Sequence, residues 1–117
     1  MVIAAVDDLL FSSKIRTAAK QLGVEVIFAR SPEAILAETR ARRPALVVFD
    51  LNGERMAPVD TLRAIASDPA LRGTRTVGFV SHVQTALIAA AREAGATEVM
   101  PRSAFAASLA DILAAAK

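Results

Sequence analysis

Residues 45–50 read Ala-Leu-Val-Val-Phe-Asp: an unbroken apolar run that ends in an aspartate, followed by the turn-like sequence Leu51-Asn52-Gly53. A run this short and this apolar is typical of a strand that is covered on both faces, as in a parallel sheet. A carboxylate at the end of such a strand lies at the edge where open α/β sheets bind their ligands. Asp50 is therefore the first candidate for a functional side chain.

Four further segments suit strands, at residues 2–6, 24–29, 76–80 and 97–100. Each of the five strand segments is followed by a segment with apolar residues at helical spacing. A parallel sheet needs crossovers of a dozen or more residues, which such helices provide. The alternation predicts an α/β fold of the flavodoxin-like (βα)5 type, a three-layer sandwich with a parallel five-stranded sheet in the order 2-1-3-4-5.

Individual residues mark the ends of the predicted helices. Ser31 is a capping residue and Pro32 suits the first position of the second helix. Gly23 and Gly95 suit the ends of the first and fourth helices, because glycine readily adopts the left-handed conformation found there. Ser103 is predicted to cap the last helix.

Length and composition exclude several classes of protein. The chain has 117 residues, enough for one hydrophobic core, and we expect a single domain over residues 1–117. An apolar fraction of 54% excludes a disordered chain. The absence of cysteine excludes disulfides, thiolate metal sites and a cysteine nucleophile.

Charge and hydropathy bear on location and partners. No apolar run approaches the ~20 residues that a membrane span needs, and the first residues lack the pattern of a signal peptide. The net charge is only +2, and the basic cluster at residues 40–43 has no interleaved aromatic residues. We therefore expect a cytoplasmic protein that binds neither membrane nor nucleic acid directly.

The predicted strand order brings acidic side chains together. Asp7 and Asp8 follow the first strand, which lies beside the third strand and its terminal Asp50. Three converging carboxylates repel one another unless a cation is present, and a hard ion such as Mg²⁺ suits their oxygens. Ser81 and Arg102 follow the fourth and fifth strands and border the same edge. The set suits phosphoryl transfer to Asp50, with Ser81 and Arg102 contacting the phosphoryl oxygens.

Several motifs occur in a specific order: Val6-Asp7-Asp8, Val48-Phe49-Asp50, Ser67-Asp68-Pro69-Ala70-Leu71, Phe79-Val80-Ser81, and Gly95-Ala96 shortly before a basic residue. Together they make the chain resemble, over essentially its whole length, the receiver domain of bacterial two-component response regulators. The resemblance implies phosphorelay signalling rather than an enzyme. It also implies a sensor histidine kinase or a phosphotransfer protein as the partner.

The resemblance implies a role for each matching residue. Asp50 corresponds to the phosphoacceptor, and Asp7 and Asp8 to the pair of acids that binds Mg²⁺. The backbone carbonyl of Asn52 corresponds to a further metal ligand. Ser81 corresponds to the Thr or Ser that moves to meet the phosphoryl group.

The sequence departs from the receiver pattern at two places. Arg102 and Ser103 stand where the family has Lys, normally followed by Pro, and Val99 stands where an aromatic switch residue is usual. Arginine keeps the charge but is a broad planar fork rather than a compact ammonium. The alternative is therefore an atypical pseudo-receiver, a protein-interaction module that is not phosphorylated and in which Arg102 holds Asp50.

Other interpretations stay open. Asp8 also suits the cap of the first helix, and His82, the sole histidine, suits a solvent-facing loop. The alanine-rich helices at residues 85–94 and 104–116 suit a contact surface for a homodimer. A flavodoxin-like enzyme or nucleotide binder is less favoured, because neither Gly-x-Gly-x-x-Gly nor a P-loop follows any predicted strand.

Overall fold

A computed structural model describes residues 1–81 and 84–117, and the interpretation of His82 lies outside these residues. The strands are β1 (Val2–Ala5), β2 (Val26–Phe28), β3 (Leu46–Asp50), β4 (Arg75–Val80) and β5 (Glu98–Pro101). The α-helices are α1 (Leu9–Leu22), α2 (Pro32–Arg42), α3 (Pro58–Ser67), α4 (Thr85–Glu93) and α5 (Arg102–Ala114). Short 3₁₀ turns at Glu54–Met56 and Pro69–Leu71 flank α3.

The strands form one parallel sheet in the order β2-β1-β3-β4-β5, which confirms the predicted flavodoxin-like α/β fold. The register pairs Ala5 with Phe49 and Asp50 with Phe79. The carboxyl ends of β1, β3 and β4 therefore lie side by side. Within residues 1–81 and 84–117, no helix has the length and apolarity needed to cross a bilayer.

Each face of the sheet has its own hydrophobic core. Side chains alternate along a strand, so Val2 and Ala4 contact the core under α1 and α5 while Ile3 and Ala5 contact the core under α2, α3 and α4. β3 is buried along its whole length, since both faces are covered by helices. This explains why the sequence of β3 is an unbroken apolar run up to Asp50.

The capping residues Ser31 and Gly23 agree with the sequence prediction, whereas Ser103 does not. The Ser31 hydroxyl accepts a hydrogen bond from the Ala34 N–H at 3.1 Å, and Gly23 is left-handed with φ 70°, as predicted. The predicted cap at Ser103 is wrong, because the N-cap lies two residues earlier, at Pro101, and α5 begins at Arg102. Pro101 ends β5 with φ −62° and ψ 153° and leads straight into the helix, so Ser103 lies within the first turn.

Candidate functional site

Asp50 lies at the centre of the acidic edge. It is the last residue of β3 and is only 4% exposed. Its Oδ1 accepts a hydrogen bond from the backbone N–H of Asn52 at 3.0 Å, and its Oδ2 lies 3.8 Å from Nη2 of Arg102. One carboxylate oxygen is thus held by the backbone, and the other faces a cation across the edge of the sheet.

Burial raises the pKa of the Asp50 carboxyl above its ordinary value of 3.8. The Asn52 N–H and the Arg102 guanidinium lower this pKa, while the charges of Asp8 and Asp7 raise it. Desolvation is the largest of these effects, because the strand is covered on both faces. The carboxylate is consequently more basic than an exposed aspartate.

The two other predicted acids lie at the same edge, each near a basic side chain. The Oδ1 of Asp8 accepts a hydrogen bond from the Phe11 N–H at 3.0 Å, so Asp8 caps α1, and its Oδ2 lies 4.0 Å from Nη2 of Arg102. The Oδ2 of Asp7 lies 3.8 Å from Nη1 of Arg55. Asp8 is therefore both a helix cap and a neighbour of Arg102.

The acidic edge offers oxygen donors of the kind that a divalent cation needs. Carboxylate oxygens from Asp7, Asp8 and Asp50 are the ligands that Mg²⁺ prefers. The Asn52 carbonyl accepts the Glu54 N–H at 3.1 Å and keeps a second lone pair for another contact. The oxygen donors of these residues suit a hard cation. Across residues 1–81 and 84–117, however, the arrangement gathers no three acidic side chains at one ion position.

Arg102 is packed against aromatic rings. Its guanidinium carbon lies 4.7 Å from the ring centroid of Phe11 and 5.8 Å from that of Phe79. Phe79 stacks in turn on Phe11 and Phe105, with centroid separations of 5.1 and 4.5 Å. We call these three rings the phenylalanine platform. No local pattern in the sequence shows that these rings support Arg102.

Asn52 connects β3 to the residues after β4. Its side-chain Oδ1 accepts the Ser81 N–H at 2.8 Å, and its Nδ2 donates to Oε1 of Gln84 at 2.8 Å. Ser81 is thereby positioned at the same edge as Asp50. Sequence reasoning assigned a role only to the Asn52 carbonyl and missed the amide side chain and Gln84. The signal in the sequence was the side-chain amide of Asn52, which can donate and accept hydrogen bonds at the same time.

Val99, for which the sequence resemblance to receiver domains suggested the place of an aromatic switch residue, lies in β5 and is half-buried. It packs against the core under α2, α3 and α4. An aliphatic side chain here has no polar group with which to exchange hydrogen-bond partners between two positions. Val99 therefore contributes no rotating ring.

No protein-family model matches the sequence, and no curated protein matches it. Solved structures do match, among them the chemotaxis response regulator CheY4 of Vibrio cholerae, with a TM-score of 0.83, 17% identity, and 99% of this chain and 97% of that chain covered. The phosphorylated cyanobacterial phytochrome response regulator RcpA matches with a TM-score of 0.81, 22% identity, and 97% and 88% covered.

The Mn²⁺-bound form of response regulator Rcp1 also matches, with a TM-score of 0.78, 19% identity, and coverage of 97% of this chain and 88% of that chain. Identities this low establish the architecture alone. The similarity extends over nearly the whole length of each protein. This chain has the fold of response regulator receiver domains.

Proposed function

We propose that this chain is a receiver domain that accepts a phosphoryl group on Asp50 in two-component phosphorelay signalling. The observation that supports this most is the geometry of Asp50, a buried carboxylate with one oxygen fixed by the Asn52 N–H and the other turned toward Arg102. The fold shared with phosphorylated RcpA is consistent with this role.

The reaction follows from the two oxygens of Asp50. Oδ1 is held by the backbone, so Oδ2 is the nucleophile, and the raised pKa of the carboxyl makes it more reactive than an exposed carboxylate. Oδ2 forms a bond to phosphorus as the bond from phosphorus to the donor's imidazole nitrogen breaks. The leaving imidazole takes a proton from solvent. Arg102 and Ser81 contact the phosphoryl oxygens.

Asp7, Asp8, Asp50 and the carbonyl of Asn52 would hold a divalent cation such as Mg²⁺. The hard oxygen donors support this assignment, as does the fold shared with Mn²⁺-bound Rcp1. When bound, the cation supplies positive charge to the phosphoryl oxygens. It would thereby offset the repulsion between the acids of this edge and an anionic phosphoryl donor.

The partner is a sensor histidine kinase or a phosphotransfer protein. Leu9 and Leu10 in the first turn of α1 are 83% and 64% exposed, directly after Asp8. A protein that brings a phosphohistidine to Asp50 must approach this edge and cover both leucines. Burying two such side chains contributes roughly 1.5–3 kcal/mol each to a complex. A homodimer through α4 and α5 is a further proposal, resting on their exposed alanines.

Phosphorylation by a small donor tests the assignment of Asp50. Wild-type protein incubated with acetyl phosphate and Mg²⁺ should gain one phosphoryl group by intact-mass analysis, and Asp50→Asn should gain none. Asp60→Asn is the matched control, because Asp60 is an exposed acid on α3 and its loss should leave labelling unchanged. Labelling of Asp50→Asn, or no labelling of the wild type, would contradict the proposal.

A phosphorylation-independent interaction module is the second candidate. The observation that favours it is Arg102, which lies on the phenylalanine platform and faces Asp50 at 3.8 Å. In that case the amide spectrum around Asp50, Ser81 and α4 should not change when Mg²⁺ and beryllofluoride are added. Shifts in the wild type that are absent from Asp50→Asn would exclude this candidate.

A further inference from the structure

We infer that Arg102 is the built-in counter-cation of the acidic edge and competes with a divalent cation for Asp8 and Asp50. The inference rests on the metal site of the proposed function. Arg102 is held in place by aromatic rings, and its charge should affect how tightly this chain binds a divalent cation.

The guanidinium of Arg102 faces two of the three acids. A single nitrogen, Nη2 of Arg102, lies 4.0 Å from Oδ2 of Asp8 and 3.8 Å from Oδ2 of Asp50. The guanidinium therefore lies between two carboxylates that a metal ion would have to share. A cation binding both acids meets a like charge unless the side chain moves.

Aromatic rings help to hold the guanidinium of Arg102 in this position. Both contacts to carboxylate oxygens are longer than a hydrogen bond, and Nε of Arg102 is buried without a hydrogen-bond partner. Stacking on Phe11 at 4.7 Å, with Phe79 beneath, supplies the remaining attraction. Cation–π contacts contribute between about 0.5 and 2 kcal/mol depending on how far they are desolvated.

The charge of Arg102 weakens the binding of a divalent cation at this edge. Arg102 already offsets the negative charges of Asp8 and Asp50 in the absence of metal. A divalent cation therefore gains less binding free energy here than it would at a cluster of unpaired carboxylates. Charge and stacking without hydrogen bonds form a contact of modest strength, which a divalent ion displaces at sufficient concentration. Arg102 thus raises the concentration of divalent cation that is needed to occupy this edge.

A second arginine at the same edge provides a control for simple charge. Arg55 lies 3.8 Å from Asp7, carries the same charge, and has a side chain that is 77% exposed. Solvent screens an exposed ion pair of this kind far more than a half-buried one. Removing Arg55 changes the net charge as much as removing Arg102 does, but it leaves the phenylalanine platform and its guanidinium intact.

The test is a titration with Mn²⁺ alone, with free ion followed by electron paramagnetic resonance. Arg102→Met keeps an apolar stem on the rings and removes the charge, and it should bind Mn²⁺ about tenfold or more tightly than wild type. Arg55→Ala should change the affinity by less than about threefold. Asp50→Asn should lose the binding, which places the ion at this edge.

Each outcome has a definite meaning. Equal affinity in wild type and Arg102→Met overturns the inference and leaves the proposed function intact. Equal gains in Arg102→Met and Arg55→Ala also overturn it, because overall charge then suffices. No binding by any variant at millimolar Mn²⁺ overturns the inference and the proposed metal site together. If Arg102→Met fails to fold by circular dichroism, Phe11→Leu replaces it and should show a smaller gain, whereas no gain overturns the inference.

Discussion

Replacing Asn52 with alanine removes the link between β3 and the residues that follow β4. The Asn52 side chain accepts the Ser81 N–H at 2.8 Å and donates to Gln84 at 2.8 Å. The first bond is part-buried and joins residues 29 apart in sequence, while the second is exposed. The two bonds should therefore contribute unequally to stability.

These two contacts set the size of the expected loss of stability. Leaving the part-buried Ser81 N–H unpaired costs about 1–2 kcal/mol, whereas an exposed bond that water can replace contributes about 0.5 kcal/mol or less. Asn52→Ala should thus lower the free energy of unfolding by about 1–2.5 kcal/mol. For a domain of this size the midpoint of thermal unfolding should fall by about 4 °C or more.

Urea unfolding followed by circular dichroism measures the loss, with Gln84→Ala as the matched variant. Gln84→Ala removes only the exposed bond, so its loss should be at least about 1 kcal/mol smaller than that of Asn52→Ala. The Ser81 amide proton should exchange faster in Asn52→Ala and at the wild-type rate in Gln84→Ala. Equal losses in the two variants, or unchanged exchange at Ser81, would refute the reasoning.

Four further predictions follow from single contacts. Because burial raises the pKa of Asp50 above 3.8, ionisation of this carboxyl favours the unfolded chain. Asp50→Asn should gain stability relative to wild type as pH rises through the raised pKa, and a gap independent of pH in urea unfolding would contradict this. Phe79→Ala removes the centre of the phenylalanine platform and should cost about 3–5 kcal/mol by the same assay, with a loss below about 1 kcal/mol as the contrary result. Leu9→Ser with Leu10→Ser should leave labelling by acetyl phosphate unchanged and slow transfer from a phosphohistidine protein; equal rates from both donors would count against the docking edge. Ser31→Ala should cost about 1 kcal/mol in thermal unfolding, since it removes the cap of α2, and no measurable loss would contradict that role.

Much of the architecture could be predicted from local pattern. Five apolar runs separated by helical segments predicted the parallel sheet and its strand order, because each strand must be covered on both faces and each crossover has one favoured hand. The caps at Ser31 and Gly23 were predicted for the same kind of reason, since a cap is a contact within one turn of chain. The error at Ser103 arose where two helix starts two residues apart were both plausible, and Pro101 fixed the earlier one.

The sequence by itself determined that Asp7 and Asp8 follow the first strand, that Asp50 ends the third, and that a basic residue follows the last strand. Tertiary structure alone decided what these groups contact. The stack of Arg102 on Phe11 and Phe79 joins a helix start to two distant segments, and the Asn52 bond to Ser81 spans 29 residues. Such contacts depend on the register of the strands and the packing of the helices, which no local periodicity encodes. The sequence therefore determined where the acidic edge lies, and the fold decided which cation lies against it.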